Sequence, residues 1–147
     1  MLPEIHNGDR LTLPLFGRET ELMILATGDS QYDHDEEDFP LNEAELACVN
    51  WLLESVCIED YTDQIVAYCN ERYEMIGGPV ITAADLAEEV ELTGIAVSLS
   101  EVMESNSGHR YPDVSFLGEC ACDPEHGICI GFRDREFLGI ESQDWAL

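Results

Sequence analysis

The sequence contains no lysine. Its only bases are six arginines, Arg10, Arg18, Arg72, Arg110, Arg133 and Arg135, set against 32 acids for a formal charge of −26. That shortage excludes a general binder of nucleic acid or anionic membrane, because either needs a cationic footprint. No apolar run approaches the roughly 18 residues a membrane helix needs. The N-terminus, MLPEIHNGDR, lacks the basic flank and apolar core of a secretory signal. A cytoplasmic location is therefore expected. The chain also lacks a nucleophile–base pair or a phosphate loop of specific spacing, so no enzyme activity, catalytic residue or cofactor is expected.

What the chain has instead is acid, unevenly placed. Fifteen acids and no base lie between Arg18 and Arg72, and seven acids and no base between Arg72 and Arg110. Such a field attracts cationic partners at rates that fall with salt, although screening confines it to roughly 8 Å at physiological ionic strength. The densest stretch, DSQYDHDEEDFP over 29–40, has no periodicity and reads as a loop. It lacks the central glycine and closing glutamate of a calcium loop. A solvated, soluble surface and adaptation to a salty cytoplasm are the bland readings of the same charge.

With 147 residues and 45% hydrophobic content the chain suits a single α+β domain over 1–147. Residues 11–17 and 19–28 read as a hairpin around Gly17 and Arg18, with Pro14 placing the first strand at an edge. Asn42 with Glu45 forms a capping box, and Leu46, Val49, Leu53 and Val56 mark a helical core face, with Cys48 and Trp51 on the other side. A second helix fits 60–73, stopped by Met75-Ile76-Gly77-Gly78-Pro79. Thr82 with Asp85 opens a short third helix striped by Ala83, Leu86, Ala87 and Val90. From residue 94 the period becomes two, with strands over 94–100, 114–122, 128–133 and 136–142 and a loop over 104–113. Asp134 and Arg135 form a two-residue turn that sets Arg133 opposite Glu136 and Phe132 opposite Phe137. Strands, then helices, then strands predict a mainly antiparallel sheet, built from the N-terminal hairpin and the C-terminal strands, with about three helices on one face.

CACDPEHGIC, residues 120–129, places three cysteines and a histidine within ten positions. Cys120, Cys122, His126 and Cys129 form a soft ligand set suited to tetrahedral zinc. Their spacing is not that of the usual zinc knuckles, and cysteines packing as small hydrophobes beside a tight turn fit equally, so no metal is assigned. Glu119, Asp123 and Glu125 oppose thiolate formation and with it a redox or Cys–His nucleophile role. His6, His34 and His109 read as isolated, exposed loop residues.

The segment DPEHGICIGFRDREFLGIESQDW, residues 123–145, resembles the C-terminal hairpin of small acidic bacterial proteins of unknown function. In these an acidic-x-Glu-His-Gly turn leads through two strands to a Gln-Asp pair, and several are associated with polymorphic-toxin immunity. The likeness rests on Asp123, Glu125, His126, Gly127, Ile128, Ile130, Phe132, Gly139, Ile140, Gln143 and Asp144. It implies an α+β fold and a non-catalytic binding protein, carries over no active site, and does not require the cysteines.

Charge and resemblance together predict an immunity-type protein that occludes a cationic toxin domain. The expected contacts are Tyr32, Asp33, Asp35, Glu36, Glu37, Asp38, Phe39 and Trp51, with the aromatics as anchors in a charged rim. Glu125 and His126 are candidates for a functional turn. A zinc module built on the 120–129 cluster and an acidic mimic of duplex DNA are the alternatives. Neither direct nucleic-acid binding nor membrane association is expected.

Overall fold

The computed structural model describes residues 3–27, 39–98 and 112–145, all but the side chain of Asp144. The acidic stretch 32–38 and the loop expected over 104–113, save its last two residues, lie outside them. A six-stranded sheet runs in chain order, with β1 Arg10–Leu15, β2 Arg18–Thr27, β3 Val90–Ser98, β4 Val114–Cys120, β5 Ile128–Arg133 and β6 Glu136–Glu141. All neighbouring pairs are antiparallel except β2 and β3, which run parallel in the register Ile24↔Ile95. The chain between β2 and β3 carries helices α1, Glu43–Ser55, and α2, Thr62–Ile76, and a single helical turn α3, Leu86–Glu89. This is the expected α+β arrangement of a mostly antiparallel sheet and three helices.

The sheet is buried on both sides along its centre. Leu22, Ile24, Ile95, Val97, Phe116, Ile130 and Phe132 belong to the main core together with Val49 and Leu52 of α1 and Ile65 and Cys69 of α2. The alternate residues Leu25, Ala96, Leu117 and Cys129 form a smaller cluster with Trp145 on the outer face. Hence β4 and β5 read as near-continuous apolar runs instead of an alternation. Trp145 lies so close over β5 that a Cβ at Gly131 would stand 2.7 Å from its ring.

Local chemistry fixes the ends of the elements. Asn42 Oδ1 accepts from the Glu45 amide at 2.8 Å, and Glu45 Oε1 accepts from the Asn42 amide at 2.9 Å, completing the capping box. The buried side of α1 is centred on Glu45, Val49 and Leu52; Leu46, Leu53 and Val56 are only partly buried, and so are Cys48 and Trp51. The core face is thus rotated from the expected stripe, because the helix is flanked on more than one side. α2 ends at Gly77 in the left-handed conformation. α3 is shorter than its apolar stripe suggests: Val90, counted as its last apolar residue, pairs instead with Cys120 as the first residue of β3. Cross-strand pairing outweighs the weak propensity of a four-residue helix. β4 likewise stops at Cys120, two residues before the expected end, leaving Cys122 in the turn.

At the β5–β6 turn the predicted register holds, with Arg133 opposite Glu136 and Phe132 opposite Phe137. Phe132, Phe137, Tyr61 and Trp51 form an aromatic cluster with ring centroids 4.7–5.9 Å apart. The turn itself is built from two residues with positive φ, Asp134 at 52° and Arg135 at 64°. Aspartate tolerates that region, whereas arginine meets a Cβ clash in it that glycine lacks. Arg135→Gly is therefore expected to stabilise the protein by about 0.5–1 kcal/mol, raising the melting temperature by about 2–4 °C in a calorimetric scan. A lowered melting temperature would show that Arg135 makes contacts worth more than the strain.

Candidate functional site

The aromatic residues predicted as surface anchors are placed differently from each other. Phe39 is 3% exposed and belongs to the core. Its carbonyl accepts from the Asn7 amide at 2.9 Å, Leu41 N donates to Ile5 O at 2.8 Å, and His6 bridges to Pro40. The end of the acidic segment is thus zipped to the N-terminal segment, with Ile5, Phe39 and Leu41 all buried. Phe39 cannot serve as a contact anchor. Trp51 is half-buried, edge-on to Phe132 at 5.8 Å, and borders a surface cleft with Cys48, Asp113, Asp134 and Arg135. Burial and the neighbouring Asp113 push the Cys48 thiol up to about 11, so it is protonated at neutral pH.

Exposed apolar surface gathers elsewhere. Among the described residues the large exposed hydrophobics are Met75, Ile76 and Val80, at 68%, 70% and 84%. They sit at the corner where α2 ends, beside a cleft lined by Glu71, Glu74, Gly77, Gly78 and Pro79. Asn70 pins the return of the chain, accepting from Ile81 N at 2.8 Å and donating to Ile81 O at 3.1 Å. Within the described residues α2 has no base in its last turn. From this corner the chain passes through α3 into β3, whose second residue, Glu91, shares the outer sheet face with Glu119 directly opposite. Glu19 and Glu21 of β2 line a cleft with Glu91 on that face. Arg18 lines the same cleft and Arg10 pairs with Glu21 at 3.0 Å, so these carboxylates lie on the outer face with two bases among them, while the apolar corner of α2 lies on the helix side of the sheet. In sequence MIGGPV reads only as a helix stop, and what marks it as a surface is that its apolar residues fit neither helical nor strand periodicity.

The Cys/His cluster of residues 120–129 is divided by the fold. Cys120 and Cys122 lie on the inner face with their sulfurs 3.4 Å apart. Cys129 is fully buried on the outer face beside Leu117 and Trp145, so it cannot share a metal with them. His126 points outward, and its Nδ1 is 2.9 Å from Asp123 Oδ1. Burial raises the Asp123 carboxyl, but hydrogen bonds from the His126 side chain and amide outweigh it and leave the group below its usual range. The four-ligand set suggested by spacing is therefore not assembled.

The Glu-His-Gly turn has a structural task. Gly127 N donates to Asp123 O at 2.9 Å, and the Gln143 amide donates to His126 O at 2.9 Å. The Gln143 side chain donates to Gly118 O, and Tyr68 Oη donates to Gly127 O at 3.4 Å. The turn, the end of β4, α2 and the C-terminal 3₁₀ turn Gln143–Trp145 are thereby tied together. Glu125 is exposed, and the backbone of His126, not its ring, holds Gln143. Asp123, His126, Gly127 and Gln143 of the residues that carried the resemblance belong to this latch. Over residues 4–147 the chain matches a family described as a domain of unknown function (DUF6985). The chain belongs to the DUF6985 family. No curated protein and no solved structure matches it.

In this DUF6985 chain the latch depends on Gly127, which has φ of 67° and no room for a Cβ: one would lie 2.5 Å from both Gly118 O and Gln143 Nε2. Gly127→Ala should destabilise the protein by about 2–4 kcal/mol, combining left-handed strain with overpacking. Denaturant unfolding measures it, and a loss under about 1 kcal/mol would mean the latch is dispensable.

Proposed function

We propose that the chain is a non-catalytic, immunity-type binding protein that captures a cationic toxin domain, such as a basic nuclease, and occludes its active surface. The observation that carries this reading is the exposure of Met75, Ile76 and Val80 within a rim of carboxylates on a chain of formal charge −26. Binding energy concentrates in apolar anchors that a partner desolvates, while surrounding charges select the partner's sign and speed encounter. Glu71 and Glu74 supply the charged rim of this corner, and Asp33, Asp35, Glu36, Glu37 and Asp38 add the densest run of acid in the sequence. Trp51, half-exposed beside Asp113 and Asp134, is a second anchor on the α1 side.

Co-expression with the product of an adjacent gene tests the proposal. A stable complex whose affinity falls at least about tenfold on raising salt from about 0.1 to 1 M is expected, as is protection of cell growth against that product. Ile76→Asp with Val80→Asp, both on exposed residues, should weaken the complex at least about thirtyfold, the loss of one hot spot of about 2 kcal/mol. Neutralising Asp35, Glu36, Glu37 and Asp38 together should slow association. Unchanged affinity in the first variant removes the corner from the interface. No complex and no protection with the neighbouring product overturns the proposal.

A further inference from the structure

The fold that separates Cys129 from its sequence neighbours brings another cysteine to them. Cys69, on the buried face of α2, has its sulfur within 4.8 Å of both the Cys122 sulfur and a Glu89 carboxylate oxygen, and those two are equally close to each other. Cys120 extends the group, its sulfur 3.4 Å from that of Cys122. Cys69, Cys120 and Cys122 are at most 5% exposed, while Glu89 is only partly buried and opens the group toward solvent. Tyr73 Oη donates to Glu89 Oε1 at 2.6 Å, which orients the carboxylate.

We propose that Cys69, Cys120, Cys122 and Glu89 form a zinc site that fastens α2 and α3 to the turn between β4 and β5. Three of the four ligand atoms, the Cys69 and Cys122 sulfurs and a Glu89 oxygen, lie within 4.8 Å of one another, and the Cys120 sulfur, 3.4 Å from that of Cys122, closes onto them by a side-chain rotation to give the donor number and softness that zinc takes in structural sites. Zinc–sulfur bonds of about 2.3 Å at tetrahedral angles separate sulfurs by about 3.8 Å, so the spacing of Cys120 and Cys122 needs only a small adjustment. Calcium and magnesium require oxygen shells, which this group cannot supply. The Tyr73 hydrogen bond is the outer-shell partner that ligating carboxylates commonly have.

Burial pushes each of the three thiols up to about 12, so without metal they are protonated at neutral pH. Zinc must displace those protons. Proton release accompanies binding, and affinity rises with pH across the neutral range, where the thiols of the metal-free protein stay protonated. The released protons pass to solvent, with no change in oxidation state.

The test uses the full chain, purified under reductant, stripped by a chelator and titrated with zinc and with cobalt(II) as a spectroscopic probe. One equivalent of metal, thiolate-to-cobalt charge-transfer absorption, tighter binding at higher pH and a melting temperature at least about 5 °C above that of the stripped protein are expected. Cys69→Ser should abolish the absorption and Cys129→Ser should leave it intact. Because Cys69 is fully buried, Glu89→Gln provides a check outside the core: zinc affinity should fall at least about tenfold with an unchanged circular dichroism spectrum. The proposal is overturned by absence of thiolate bands in the native sequence, by their survival in Cys69→Ser, or by a Cys120–Cys122 disulfide that persists under reductant. Toxin capture is scored separately, on the partner complex, and neither result decides the other.

Discussion

The parallel pairing of β2 with β3 is the constraint on which the rest of the architecture depends. A hairpin cannot connect parallel neighbours, so the chain from Thr27 to Val90 must leave the sheet at one end and re-enter it at the other. That crossover is where α1 and α2 are found, and its path lays both against one face. The main core follows from it: Leu22, Ile24, Ile95, Val97, Phe116 and Ile130 would otherwise face water in a row. The close approach of Cys69 to Cys122 follows too, since α2 passes over the end of β4 and is held there by the Tyr68 contact with Gly127.

The two ends of the sheet then acquire different characters. Toward Trp145 the outer face is closed by an indole over Gly131, and the residues beneath it, Cys129 and Leu117, are inert packing. Toward the start of β3 the outer face carries glutamates, Glu91 and Glu119 standing opposite each other in the ladder. Like charges directly across a pair destabilise it. The thiol group lies on the inner face, where α2, α3 and the β4–β5 turn meet.

Much of the fold was legible because its signals are local. Asn42 and Glu45 stand three apart and cap α1; Gly77 follows the last turn of α2; Asp134 and Arg135 fill a two-residue turn whose register can be counted outward to Phe132 and Phe137. The misplaced features needed distant partners. Val90 reads as helix until Cys120 is beside it, and Phe39 reads as a surface aromatic until the N-terminal segment zips over it. The Glu-His-Gly turn was visible as a motif, but its purpose, holding Gln143, spans the whole β5–β6 hairpin.

Charge, the reduced supply of bases and the order of strands and helices are properties of the sequence alone, because they depend on composition and on neighbours a few positions apart. Which cysteines meet was decided only by the tertiary structure. In a strand, alternate side chains point to opposite faces, so Cys129, though close to Cys120 and Cys122 in sequence, is separated from them by the thickness of the sheet. Cys69, far away along the chain, arrives among them because a helix forced to cross that face presents one side to it. Sequence proximity groups His126 and Cys129 with Cys120 and Cys122, whereas the crossover brings Cys69 and Glu89 beside Cys122.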